Sequence, residues 1–185
     1  MQVTILPGLL LALATLTVAN PVPSSAADVP AAPNTIALPA NFKVETLPIT
    51  NITEYHEAVT LHKRTPDACF GSQHGRPHFR VSDIRGLEGW FYDNGFAVNE
   101  FMGAISVKSW TWGDAKYCIF NWYGTQNTHI SHNQIGTNVQ YITDTCWARG
   151  SSAGLFHGGL ASTYGDSGLS LDGYAVSSNA KCPGT

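Results

Sequence analysis

No run of apolar residues in this chain is long enough to cross a bilayer, which takes about 20 in a row. The most apolar stretch, Leu9-Leu10-Leu11-Ala12-Leu13-Ala14, is far shorter, so no membrane span is expected. Basic charge is not in excess either. Ten Lys and Arg stand against thirteen Asp and Glu, a net of -3. After residue 64 the balance is 7 against 9, or -2, which argues against nucleic acid or an anionic membrane surface as partner, since both call for a basic face. Only Arg76, Arg80 and Arg85 gather locally. No two of the four cysteines stand close together, so the paired spacing of a zinc site is missing. There is no Gly-rich phosphate loop, no conspicuous carboxylate pair, and no Glu at metalloprotease spacing from a histidine. No metal and no cofactor are expected.

Cysteine and tryptophan are absent from the first 64 residues, and that absence divides the chain. Met1 to Ala19 has the apolar core and small residues, Thr17-Val18-Ala19, of a secretory signal cut before Asn20. Residues 20–64 read as a pro-segment. Its start, Pro21-Val22-Pro23-Ser24-Ser25-Ala26-Ala27, offers too little apolar surface to offset ordering entropy, so the segment is expected to be largely disordered, with a short helix near Thr53 to Val59. It ends in Lys63-Arg64, a pair suited to a Golgi kexin-type protease. The only glycosylation sequon, Asn51-Ile52-Thr53, would leave with it. Residues 65–185 then form one mature domain, secreted and extracellular.

Ile105 to Tyr123 organises that domain. Two runs of β-branched and aromatic residues flank Gly113-Asp114, and a two-residue loop with Gly first suits a type II′ hairpin turn. The register follows: Trp112 faces Ala115, Trp110 faces Tyr117, Lys108 faces Ile119, Ser109 faces Cys118 and Val107 faces Phe120. One face then holds Ile105, Val107, Cys118, Phe120 and Trp122, and the other Trp110, Trp112, Tyr117 and Ile119. Both faces need cover. Val81, Ile84, Leu87 and Phe91 recur at helical spacing around the stretch Ser82 to Gly95. Ile135, Val139, Ile142 and Cys146 fit a helix capped by Thr137 and stopped at Gly150, although Val139, Tyr141 and Thr143 also fit a strand. Ser151 to Gly168 reads as a Gly/Ser-rich loop and Leu169 to Ser177 as a closing strand. The fold class expected is α+β, a small disulfide-linked antiparallel sheet with one or two packed helices. Four cysteines in a small secreted domain give two disulfides. Of three pairings, Cys69 with Cys182 and Cys118 with Cys146 are favoured.

Three features bear on function. Tyr164-Gly165-Asp166-Ser167-Gly168 holds the tetrapeptide around the nucleophile of chymotrypsin-like proteases, but that fold needs two barrels and far more chain, so turn chemistry explains it better. His129-Ile130-Ser131-His132 and His74-Gly75-Arg76-Pro77-His78 can supply acid/base groups, which leaves a small hydrolase or nuclease using His129 or His132 as an alternative. The rings of Trp110, Trp112 and Tyr117 can stack on sugars or anchor a protein partner, unless the helix beginning near Ser82 covers them as core.

Taken together, a signal, a pro-segment closing in Lys63-Arg64, and an aromatic, Gly-rich domain with an even cysteine count resemble small secreted fungal effectors. Asp67-Ala68-Cys69, Val81-Ser82-Asp83, Tyr117-Cys118-Ile119-Phe120, Ile135-Gly136-Thr137-Asn138 and Cys182-Pro183-Gly184 are similar to the fungal necrosis-inducing effectors, homologues of an extracellular protein of the tomato leaf-mould pathogen. Ile84 stands where that family has a cysteine, and Cys146 is this chain's own. The resemblance implies a killer-toxin-like sandwich, a virulence role, and no catalytic residues to carry over. The function expected is a non-enzymatic effector or toxin-like protein binding a host or microbial protein or a cell-wall glycan, with a carbohydrate-binding module as a further alternative.

Overall fold

The turn at Gly113-Asp114 sets the sheet. Gly113 takes φ +57° while Asp114 keeps a negative φ, the combination a type II′ loop needs at its first central residue. A side chain at Gly113 would also collide with the Asp83 carboxylate, 2.4 Å from where its Cβ would stand. Asp83 uses that position to accept the Asp114 N–H at 2.8 Å, so the hairpin turn is fastened to the helix beside it.

In the computed structural model the described residues are 37–51, 53, 68–70, 77–95, 98–150 and 154–185, all within the compact unit Ile36–Thr185. Their elements run β1 (Lys43–Pro48), β2 (Ala68–Cys69), β3 (Phe79–Arg80), α1 (Val81–Asp93), β4 (Asn99–Met102), β5 (Ser106–Trp112), β6 (Ala115–Asn121), β7 (Thr128–Ser131), α2 (His132–Gly150), β8 (Leu155–Phe156), β9 (Gly159–Tyr164) and β10 (Ser170–Ser177). The main sheet has six antiparallel strands in the order β1-β5-β6-β10-β9-β2. β3 with β8 and β4 with β7 form two separate two-stranded ribbons. The β5–β6 register is the one that the Gly113-Asp114 loop dictates, from Trp112 opposite Ala115 to Val107 opposite Phe120.

Each sheet face has its own core. Ile84, Leu87 and Phe91 of α1 and Ile135, Val139 and Ile142 of α2 bury Trp110, Trp112, Tyr117 and Ile119. On the reverse face Val107, Cys118, Phe120, Leu160, Tyr174 and Val176 are covered by Ile49, Phe70 and Cys182. The two helices are joined through Arg85, which pairs with Glu88 at 2.7 Å and with Asp144.

α2 is a helix, but it starts five residues before the predicted cap. Ser131 and Gln134 form a capping box: the Gln134 N–H donates to Ser131 Oγ and the Ser131 N–H to Gln134 Oε1, both at 3.2 Å. Thr137 lies inside the helix, its hydroxyl donating to the Asn133 carbonyl at 2.9 Å.

Three expectations are corrected. Gly159–Tyr164, placed in a loop by its small residues, is strand β9; it is held by β10 on one side and β2 on the other, contacts from distant sequence that give its own residues no period to display. Lys43–Pro48, placed in a largely disordered segment, is strand β1, which has a complete ladder to β5 from Lys43 opposite Thr111 to Pro48 opposite Ser106. The disulfides are Cys69–Cys146 and Cys118–Cys182. Cys69 and Cys146 belong to the helix-side core, while Cys118 and Cys182 belong to the reverse one. The predicted partners lay on opposite faces, with the sheet between them. The bonds close separations of 77 and 64 residues, worth about 4 kcal/mol each if chain entropy alone is counted.

Gly86 sits in α1 where a Cβ would stand 2.5 Å from Trp112 Nε1. Alanine there adds up to about 1 kcal/mol of helix propensity but forces the indole aside, a cost of about 1–3 kcal/mol. The overlap should win. Gly86→Ala is expected to lower Tm by a few degrees in thermal unfolding, and a raised Tm would contradict the close α1–Trp112 contact.

Candidate functional site

The aromatic trio expected to meet a partner is core instead. Trp110 and Tyr117 are 0% exposed and Trp112 is 8%. Phe91 of α1 stands edge-on to Trp110 at 5.2 Å, so the helix covers the rings that the hairpin displays. Tyr117 serves as a polar peg. Its hydroxyl donates to Asn138 Oδ1 at 2.8 Å, and the Asn138 amide donates to the Ser162 carbonyl at 3.1 Å, tying α2 to β9. Burial pushes the Tyr117 phenol far above its ordinary range. Trp112 is the exception in one respect, because its outer cover is Phe42, 5.9 Å away and just ahead of β1.

The histidines His129 and His132 do not form a pair, because each has a carboxylate of its own. His132 is 2% exposed and packs against the rings of Trp90 and Phe91, 5.0 and 5.3 Å away. Its Nε2 is 2.7 Å from Glu100 Oε1, and Lys108 Nζ holds the other carboxylate oxygen. An ionised carboxylate only accepts, so Nε2 carries the hydrogen. Nδ1 is buried without a partner among the described residues. This triad joins β4, β5 and the start of α2. The hydrogen bond from His132, assisted by Lys108, holds the Glu100 carboxyl down to about 2. His129 is surface-exposed, with Nδ1 3.5 Å from Asp166 Oδ2.

Asp166 and Ser167 occupy the β9–β10 turn, as turn chemistry predicts. Asp166 accepts the His129 N–H at 2.9 Å and the Thr128 hydroxyl at 3.1 Å, and the His129 N–H in particular lowers its carboxyl below the ordinary value. The Ser167 hydroxyl lies 2.7 Å from the Thr128 hydroxyl and donates to it. A nucleophilic serine needs its hydroxyl on a base, and Ser167 spends its hydrogen on Thr128.

Elsewhere the basic cluster is matched by acids, Arg80 with Asp83 and Asp114, Arg85 with Glu88 and Asp144. His78 is exposed and edge-on to His157 at 6.0 Å. His74, Arg76, the signal segment and Lys63-Arg64 lie outside the described residues. Asn51 of the sequon is exposed, and its N–H donates to the Gly184 carbonyl at 3.2 Å. Among the described residues no helix is long and apolar enough to cross a membrane, and no group of three or more His, Cys, Asp or Glu can hold a metal ion.

An open groove was not anticipated from the sequence. α2 contributes Gln134, Thr137, Asn138 and Tyr141, successive residues of one helical stripe, and β9 contributes Ser162, Thr163 and Tyr164. The space between them is about 390 Å³, within the roughly 300–1,000 Å³ of small-ligand sites. Tyr141 is 45% and Tyr164 61% exposed. Every lining side chain is uncharged, with hydroxyls, amides and two phenol rings. The helical stripe was legible, since 134, 137, 138 and 141 follow the 3.6 period, but its partner strand was not. Comparison with protein-family models, with curated proteins and with solved structures finds no match to this chain.

The Glu100 triad reads as structural, and its pH dependence has a definite sign. A carboxyl lowered from 4.5 to about 2 contributes stability that is present above 4.5 and lost as pH falls from there toward 2. Glu100→Gln should therefore be less stable than the parent at pH 7, by about 2–3 kcal/mol, with the gap narrowing by roughly half near pH 3. Urea unfolding at the two pH values measures it, and a gap that stays constant would show that the charge is not what stabilises. His132→Ala should destabilise by a similar amount, whereas exposed His129→Ala should stay within about 0.5 kcal/mol.

Proposed function

We propose that this is a secreted, non-enzymatic effector or toxin-like protein that acts on a host or a competing microbe by binding, and that the Tyr141–Tyr164 groove is its contact surface for a neutral cell-wall glycan. The groove's composition carries the reading. Sugar rings present apolar C–H faces and a fringe of hydroxyls, and the site offers the complements of both. Two exposed phenol rings give large, rigid contact area at little cost in side-chain entropy, while the Gln134 side-chain NH2 and the Thr163 hydroxyl supply donors and acceptors. An anionic or cationic ligand would call for a charged residue in the lining, and the lining has none.

Secretion is supported by the signal-like Met1 to Ala19 stretch and by two disulfides, which persist in oxidising compartments. The order of signal, pro-segment and cross-linked domain, with its resemblance to secreted fungal effectors, supports the effector role. Binding is favoured over hydrolysis because His132 and Ser167 are committed to structural partners, Glu100 and Thr128.

The exposed tyrosines can be changed without opening the core. Tyr141→Ala and Tyr164→Ala are each expected to weaken retention of the protein on insoluble chitin or β-glucan at least tenfold, with Tm unchanged within about 2 °C. Retention equal to the parent's in both variants, or no retention of the parent on either polymer, would overturn the glycan reading.

A further inference from the structure

β5 is built as an interior strand. Its sequence, Ser-Val-Lys-Ser-Trp-Thr-Trp, has no proline, and its one charge, Lys108, is engaged by Glu100. Natural sheets guard an open edge with charges, proline or bulges, and here those guards sit on β1 instead, as Lys43, Glu45 and Pro48. Yet β1 precedes Lys63-Arg64, in the stretch that reads as a pro-segment.

Residues 41–51 are held at both ends as well as along the ladder. The Asn41 amide donates to the Gly113 carbonyl at 2.6 Å, and the Gly113 N–H donates back to Asn41 Oδ1 at 3.1 Å. Phe42 packs on Trp90 at 4.8 Å and on Trp112 at 5.9 Å. Leu47 and Ile49 enter the reverse-face core, Ile49 to 7% exposure. The Ile49 N–H donates to the Ile105 carbonyl at 3.2 Å, and the Thr50 and Asn51 N–H groups donate to that of Gly184 at 3.0 and 3.2 Å. Glu45 shares the wall of an open groove of about 420 Å³ with Lys116 and Lys181. That is the anatomy of a bound peptide: main-chain hydrogen bonds for affinity, with side-chain anchors at set positions for specificity.

We propose that the β1-facing edge of β5 is a strand-accepting site for an extended polypeptide, and that residues 41–51 are its built-in occupant, replaceable by a partner protein's segment once the chain is cut. The segment it fits has an aromatic residue, an acidic residue three positions later, and aliphatic residues five and seven positions later, as in Phe42, Glu45, Leu47 and Ile49. This rests on the secretion proposed above and on the cut expected at Lys63-Arg64, not on the glycan groove. Hydrolysis of the Arg64–Thr65 bond by a kexin-type protease consumes one water and leaves a carboxylate on Arg64 and an amine on Thr65. Before the cut, the tethered strand is present at an effective concentration on the order of millimolar, so a micromolar competitor is excluded. After it, occupant and competitor meet on equal terms, and a vacated site uncovers Trp90 and Trp112.

The test uses the full chain, cut at Lys63-Arg64 by a kexin-type protease, or carrying a second site-specific protease sequence between residues 54 and 62. A fluorescent peptide of residues 37–51 is added in excess. It should enter the cut protein, displacing the resident fragment as followed by native mass spectrometry, and bind the uncut protein at least tenfold less. A peptide with Phe42→Ala and Ile49→Ala should bind the cut protein at least tenfold more weakly. No uptake by the cut protein, or equal uptake of the two peptides, would overturn the proposal. Resistance of Lys63-Arg64 to the kexin-type protease, with normal uptake after the engineered cut, would remove the processing reading and leave the strand site standing.

Discussion

A hairpin with apolar side chains on both faces cannot rest on a protein's surface, and the rest of this fold follows from that constraint. The Gly113-Asp114 turn fixes the β5–β6 register, and the register sends Trp110, Trp112 and Tyr117 to one side and Val107, Cys118 and Phe120 to the other. Two helices are needed for the first set because the rings are tall and wide. The second set has thinner cover, from Ile49, Phe70 and the carboxyl-terminal tail, and a disulfide from Cys118 to Cys182 keeps the tail in place. The other disulfide, Cys69–Cys146, ties the opposite edge of the sheet to α2. Each bond thus reinforces the cover of one face, which explains why the pairing respects the two sides of the sheet.

Features generated by neighbouring residues were legible in the sequence. The hairpin register, the apolar stripe of α1 at Ile84, Leu87 and Phe91, the turn at Asp166-Ser167 and the closing strand through Leu171, Tyr174 and Val176 all come from local periodicity or turn chemistry. What escaped depends on distant sequence. β9 is made of Gly, Ala, Ser and Thr among few large residues, and it is a strand because β10 and β2 pair with it. Trp110 and Tyr117 look like a binding face on the isolated hairpin, and only the placement of α1 and α2 makes them core. The start of α2 was readable but missed: Ser131 and Gln134 stand at capping-box spacing, yet Thr137 also has the chemistry of a cap.

Buried polar groups set where function can and cannot sit. Tyr117–Asn138 and Glu100–His132–Lys108 are networks inside the helix-side layers, and removing one member of either strands a desolvated partner. Such groups specify how the helices dock and are poor candidates for chemistry that needs substrate access. Two places stand apart from these networks, the uncharged groove between α2 and β9 and the β1-facing edge of β5. They differ in kind. The first is formed by a helix stripe and a strand that Asn138 ties together.

The second surface is filled by the chain itself, and the physics of sheet edges says why it should be. An unguarded strand bearing Trp110, Trp112 and Val107 would pair with any extended segment during folding, including another copy of itself. Covering it with a tethered strand removes that hazard, because an intramolecular partner outcompetes intermolecular ones until the tether is severed. A guard written directly into β5 would protect the edge permanently and close it to every partner. Under the cut proposed at Lys63-Arg64, placing Lys43, Glu45 and Pro48 on β1 makes the protection conditional on chain continuity. The same chemistry that keeps the edge from aggregating, a matched ladder with Phe42 and Ile49 as anchors, then defines which segments can succeed the original occupant.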